Sequence, residues 1–157
     1  MSQGTSESAA LGTAISTLGY AGLLPFGLGC GLAFLGFTAL ASEVFLNYSA
    51  VILTFLGGSH WGRIIANEES LTAPKAVFAL VASNVLALLA WAALLLSELG
   101  ALLPTVLLTA GFVAVSAVEL ICLPAVARSL HRRYAAFRAF LTVVVLLLHG
   151  VFYLLLP

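Results

Sequence analysis

Charge is what this sequence lacks. Of 157 residues only 8% are Asp, Glu, Lys or Arg, six acidic and six basic, and they balance to a formal net charge of zero. A soluble domain carries about 25% charged residues, and a chain of this size leaves roughly a third of its unfolded area exposed after folding. So few charges cannot cover that surface, which excludes an ordinary soluble globule. A disordered tail needs high charge and low hydrophobicity, and a nucleic-acid binder needs a basic face; both are excluded as well. Cysteine is also scarce. Cys30 and Cys122 fall at predicted depths of about 20 and 8 Å from one membrane edge. A disulfide requires Cα atoms within about 7 Å, so both are expected to be free thiols. No Cys or His cluster has metal-ligand spacing, and neither a metal nor a cofactor is expected.

What the chain has in abundance is apolar residues, 62% of the total. A bilayer span needs about 20 of them in succession, and five stretches qualify: 17–41, 45–66, 76–97, 101–127 and 135–156. The expected fold is an all-α integral membrane protein, a bundle of five transmembrane helices in one domain over 17–157, preceded by a polar amino-terminal tail at 1–16. Helix-ending punctuation separates the spans: Ser42-Glu43, Asn67 to Ser70 followed by Pro74, Ser97-Glu98 with Gly100, and the basic stretch Arg128 to Tyr134. Ala39-Leu40-Ala41 has the small residues of a signal cleavage site. Residues 1–38, however, contain no Lys or Arg and the apolar run is long for a signal peptide, so this segment is expected to stay as a first helix.

Lys and Arg are retained on the cytoplasmic side of short loops. Arg63 and Lys75 flank the second-to-third loop, and Arg128, Arg132, Arg133 and Arg138 mark the fourth-to-fifth; the opposite side carries no base. The expected orientation is N-in, C-out. Arg128, Arg132 and Arg133, with His131, are expected to meet anionic lipid headgroups. The absence of an amino-terminal basic stretch argues against a mitochondrial transit peptide, so a bacterial inner membrane is the expected location.

Polar residues at depth are the informative ones, because a charge at the bilayer centre costs at least about 2.5–3.5 kcal/mol. Depth sorts them into two groups. His60, Asn84 and Glu119 fall roughly 9–13 Å from the cytoplasmic edge, with Arg63 slightly shallower and Trp61 and Ser116 beside them. These are candidates for a polar ligand-binding pocket. Glu119 is either a proton or ion site or a structural partner of Arg63, His60, Ser116 or Asn84. His60 is a proton carrier, metal ligand or quinone contact, or else a packed core residue. The second group is Asn47, His149 and Tyr153, with Glu43, in the outer half. Haem held between His60 and His149 is disfavoured, because axial ligands must share one iron and these differ in depth by about 10 Å.

Rotation by 100° per residue places Gly58 and Gly62 on one face of the second span, and Gly57, His60 and Arg63 on another. Neither suits lipid, so the second span is expected to be central, with Gly57, Gly58 and Gly62 as helix-packing positions. Gly27 and Gly31 form a second Gly-x-x-x-Gly in a glycine-rich first span that Pro25 is expected to kink. Arg138, Thr142, His149 and Tyr153 fall in one stripe of the fifth span, expected to face the bundle.

The run Gly57-Gly58-Ser59-His60-Trp61-Gly62, with Tyr48 to Leu56 before it and Leu18-Gly19-Tyr20-Ala21-Gly22-Leu23-Leu24-Pro25-Phe26 in the first span, resembles the transmembrane protein 69 family of small polytopic proteins of bacteria and mitochondria. Thr54 stands where that family is expected to have Ser, which keeps the hydroxyl. The resemblance implies an inner-membrane location and importance for Gly57, Gly58, His60, Trp61 and Gly62. It supplies no reaction. No Ser/His/Asp arrangement, carboxylate pair or nucleotide loop appears, and an enzyme is not expected. Two functions remain in view: a membrane-embedded binding or transfer protein for a small molecule, lipid or proton, and an assembly factor that binds a membrane-protein partner, or a second copy of itself, through its glycine faces.

Overall fold

The computed structural model describes residues 3–66, 72–122 and 130–156. Six α-helices account for nearly all of them: α1 Gln3–Ala21, α2 Leu24–Phe34, α3 Thr38–Ala66, α4 Ala73–Leu96, α5 Leu102–Cys122 and α6 Leu130–Leu155, with a short 3₁₀ turn at Ser97–Leu99. Five stretches are long and apolar enough to cross a membrane, at Gly12–Phe34, Thr38–Ala66, Ala73–Leu99, Leu102–Ile121 and Ala136–Leu155. Large apolar side chains stand outward all round the bundle, Phe34, Leu120 and Leu154 among the most exposed. Such a surface is compatible with lipid and incompatible with water.

The first span is broken where Pro25 stands. Proline brings no amide hydrogen to the helical ladder, and α1 ends at Ala21 while α2 begins at Leu24. The hydroxyl of Tyr48 on α3 donates to the Gly22 carbonyl at this break, 3.0 Å, so a backbone group at the break is satisfied by the neighbouring span.

The next boundary corrects the expected one. Sequence punctuation put the turn at Ser42-Glu43, but α2 stops at Phe34 and α3 has begun by Thr38. Gly36, at φ +86°, is the reason. Its N–H bonds to Ala33 O and the Phe37 N–H reaches back to Leu32 O, both 3.0 Å. This is a Schellman closure, which needs a left-handed residue after the helix. Ser42 and Glu43 therefore lie inside the early turns of α3. The amino-terminal segment is likewise helical from Gln3, well before the expected start at 17. The expected fourth span ran to 127; its last residues lie outside the described ones.

α3 is central: it packs against α2, α4 and α5, and its Phe45 ring stacks on Phe152 of α6 with centroids 4.0 Å apart. One half of the bundle is held by aromatics from four helices. Phe26, Phe45 and Phe112 surround the ring of His149 with centroids 5.7, 4.8 and 5.1 Å away. Along α4 the packing is finer. Its buried side is Ala79, Ser83, Leu86, Ala90 and Ala93, mostly small side chains that let neighbouring backbones approach. Ile64, Ala79 and Val118 form a small second core where α3 and α5 end and α4 begins.

Candidate functional site

At the end of the bundle where α3 and α5 finish and α6 enters its span, Glu119 of α5 accepts hydrogen bonds from two arginines. Arg63 Nη1 of α3 lies 2.6 Å from Oε1, and Arg138 Nη2 of α6 lies 2.9 Å from Oε2. Three spans are thus joined through one carboxylate. Each of the three side chains is between 14% and 28% exposed, so the ions are screened from water without being sealed off. Arg63 sits in the last turn of α3, where a cation suits the helix dipole, and its guanidinium lies 6.0 Å from the ring centroid of Tyr134.

His60 lies one turn before Ile64 on the buried face of α3. Its side chain is completely buried, and neither ring nitrogen has a hydrogen-bond partner among the described residues. Arg63, which pairs with Glu119, follows three residues later on the same helix. The residues around it explain part of the Gly-Gly-x-His-Trp-Gly run. A Cβ at Gly57 would come within 3.3 Å of the Ser83 carbonyl, so glycine there permits the close approach of α4. Trp61 Nε1 then donates to Ser83 Oγ at 2.8 Å, and that hydroxyl donates to Leu80 O at 2.8 Å.

Several expected members of the site are elsewhere. Asn84 does not join His60 and Glu119; it is exposed on the outer side of α4, and its Nδ2 donates to Leu80 O. The inward polar residue of that pair is Ser83, because adjacent helix positions point about 100° apart. Ser116 spends its hydroxyl on Phe112 O, 2.9 Å away in its own helix. Trp61 touches α4 as described and is otherwise 44% exposed. The residue missed is Arg138. Its place at the head of the inward stripe of the fifth span is the available signal, but a base so close to the loop reads equally as part of the loop's basic cluster.

The second expected group is also separated. His149 is buried and its Nδ1 lies 2.9 Å from Val145 O, whereas Asn47 is exposed with its amide on Glu43 O and Tyr153 is exposed to the outside. Inward positions on α6 are Val145, His149 and Phe152; Tyr153 falls beyond the edge of that stripe. Of the glycines expected to pack, Gly57 does, but Gly27, Gly31, Gly58 and Gly62 are exposed and a Cβ on any of them would meet nothing within 4 Å. In α2 the inward face is Phe26, Gly29, Cys30 and Ala33, which turns Gly27 and Gly31 outward. Cys30 is a free thiol. Cys122, Arg132 and Arg133 have side chains outside the described set, and Arg128 lies outside it entirely.

The described residues hold no group of three or more His, Cys, Asp or Glu suited to a metal. At the opposite end an open groove of about 340 Å³ lies between the start of α3 and the start of α5, lined by Thr38, Ser42, Gly100 and Leu156 among others, none of them ionisable. The chemistry is concentrated around Glu119.

Fold and site together define a polytopic, all-helical membrane protein with an Arg–Glu–Arg bridge and a buried histidine at one end of the bundle. The chain belongs to the family described as "Protein of unknown function (DUF3429)", which matches residues 12–154. No curated protein and no solved structure matches it.

Proposed function

We propose that the protein is a membrane-embedded binding or transfer protein whose working site is His60, Arg63, Glu119 and Arg138. The imidazole of His60 carries this reading: it is wholly buried, unbonded at both nitrogens among the described residues, and three positions before Arg63, which pairs with Glu119. A buried polar atom without a partner costs about 1–3 kcal/mol. A phenylalanine would fill similar space without that penalty, so a structural role alone does not account for the ring. Histidine changes charge near neutral pH and both accepts and donates hydrogen bonds. Near a carboxylate and two guanidiniums it suits a proton, an anionic small molecule or a lipid headgroup. On this reading the chain is not an enzyme. It lies in a bacterial inner membrane with the site facing the cytoplasm, and Arg128, Arg132 and Arg133 rest on anionic headgroups. The resemblance to the transmembrane protein 69 family supports that location.

The test is a comparison of wild type with His60→Ala and Glu119→Gln in two assays. One is native mass spectrometry of gently purified protein, which reads a retained small molecule or lipid; the other is proton flux into vesicles under an imposed potential. The expected result is that both variants lose the retained species or the flux. Unchanged behaviour of both variants in both assays overturns the reading.

A second reading, an assembly factor, is favoured by the glycine faces. Gly27 and Gly31 on α2, and Gly58 and Gly62 on α3, are open to the outside, where a partner helix would find the close approach their own chain does not use. In-membrane cross-linking that recovers only lipid, with no protein in fixed stoichiometry, counts against it.

A further inference from the structure

We infer that α4 pairs with α4 of a second copy of this chain, along a seam centred on Asn84. The helix carries two seams of the same spacing. The buried one is Ala79, Ser83, Leu86, Ala90 and Ala93, used against neighbouring helices of the same chain. The outer one is Val77, Val81, Asn84, Leu88, Trp91 and Leu95, all exposed. Steps of three and four residues are the knobs-into-holes pattern of two helices in a coiled coil. Exposed Val, Leu and Trp need no explanation in lipid, but Asn84 does.

Its position makes the point. Asn84 lies 11 residues from the start of α4 at Ala73 and 12 from its end at Leu96, about 16 and 18 Å along the axis. That is well inside a hydrocarbon core about 30 Å thick. One amide hydrogen goes to Leu80 O at 2.9 Å, and the side-chain oxygen has no partner among the described residues. Lipid tails offer neither donor nor acceptor, and intramembrane polar side chains turn inward or pair with one another. Asn84 is turned away from the rest of its own bundle.

A second copy answers the chemistry. An amide is both donor and acceptor, so two of them satisfy each other: each N–H faces the other's carbonyl oxygen. Copies inserted in the same orientation and related by a two-fold axis along the membrane normal bring Asn84 to the same depth as its mate without further adjustment. That is the isologous arrangement of most dimers. A different protein would need its own polar side chain at this depth. A single polar residue in a heptad seam also sets the register of pairing. The surface is distinct from the His60 cluster, and the two proposals stand or fall separately.

The test uses the full chain, purified, labelled and reconstituted in phosphatidylcholine vesicles over a range of protein densities, with copy number read by single-molecule photobleaching. Dimers are expected for wild type. Asn84→Leu, which places a lipid-compatible side chain at an exposed site and leaves the fold intact, should raise the dimer dissociation constant roughly 3- to 20-fold. In a cysteine-free background, Leu88→Cys should cross-link across the seam and Leu120→Cys, on the exposed side of α5, should not. Monomers at every density, equal dissociation constants for wild type and Asn84→Leu, or equally fast cross-linking at both positions overturns the inference.

Discussion

Gly29 and Gly31 stand two residues apart in α2 and should respond to substitution in opposite ways. A Cβ on Gly29 would lie 2.9 Å from Phe45 Cβ and 3.3 Å from its Cα, and Phe45 is fully buried against His149 and Phe152. Backbone and ring cannot yield there, so Gly29→Ala should lower stability by about 1–3 kcal/mol, the usual cost of overpacking a core. Gly31 has open space around its missing Cβ. Gly31→Ala should be neutral or gain up to about 1 kcal/mol from helix propensity. Thermal unfolding in detergent, followed by circular dichroism, checks both; a larger loss for Gly31→Ala would mean that α2 is rotated. The glycine-rich composition of this segment is plain in the sequence. Which glycine is pressed against a neighbour depends on helix rotation, and one-residue shifts of 100° decide it.

The bridge of Arg63, Glu119 and Arg138 ties α3, α5 and α6, and its members are not equivalent. Removing either arginine leaves an intact pair. Removing the carboxylate breaks both ion pairs at once, in a site screened from water. Glu119→Ala should therefore destabilise more than Arg63→Ala or Arg138→Ala, by roughly 1–3 kcal/mol, below the 3–5 kcal/mol of a fully buried pair because these side chains retain some exposure. Resistance to unfolding in mixed micelles provides the ranking, and an arginine variant as damaging as Glu119→Ala would show that the bridge does not act as a unit. The histidine, the acid and the first arginine were recognisable from depth along their helices, since rise per residue is nearly constant. Arg138 was not, because a base near a span end reads equally well as a headgroup anchor, and a long side chain can reach either way. Asn84 shows the converse: its depth was informative and its direction was not.

Five crossings put the two ends of the chain on opposite sides of the membrane, and the distribution of Lys and Arg predicts the amino terminus and the Arg63–Lys75 turn inside. In a cysteine-free background, a membrane-impermeant maleimide added to intact cells should label a cysteine at Leu156 and should reach one at Lys75 only after permeabilisation. Labelling of both positions from outside would refute the five-span arrangement. The number of spans, the all-helical class and the broken first helix follow from composition, because in hydrocarbon the backbone must satisfy itself within each segment and a proline cannot donate to that ladder. Local chemistry alone sets these features. The outward face of Asn84, the aromatic box around His149 and the pairing of Arg138 with Glu119 required the assembled bundle. Each depends on how far one helix is rotated and shifted against another, and that is settled by side-chain packing between spans, which periodicity along a uniformly apolar chain does not encode.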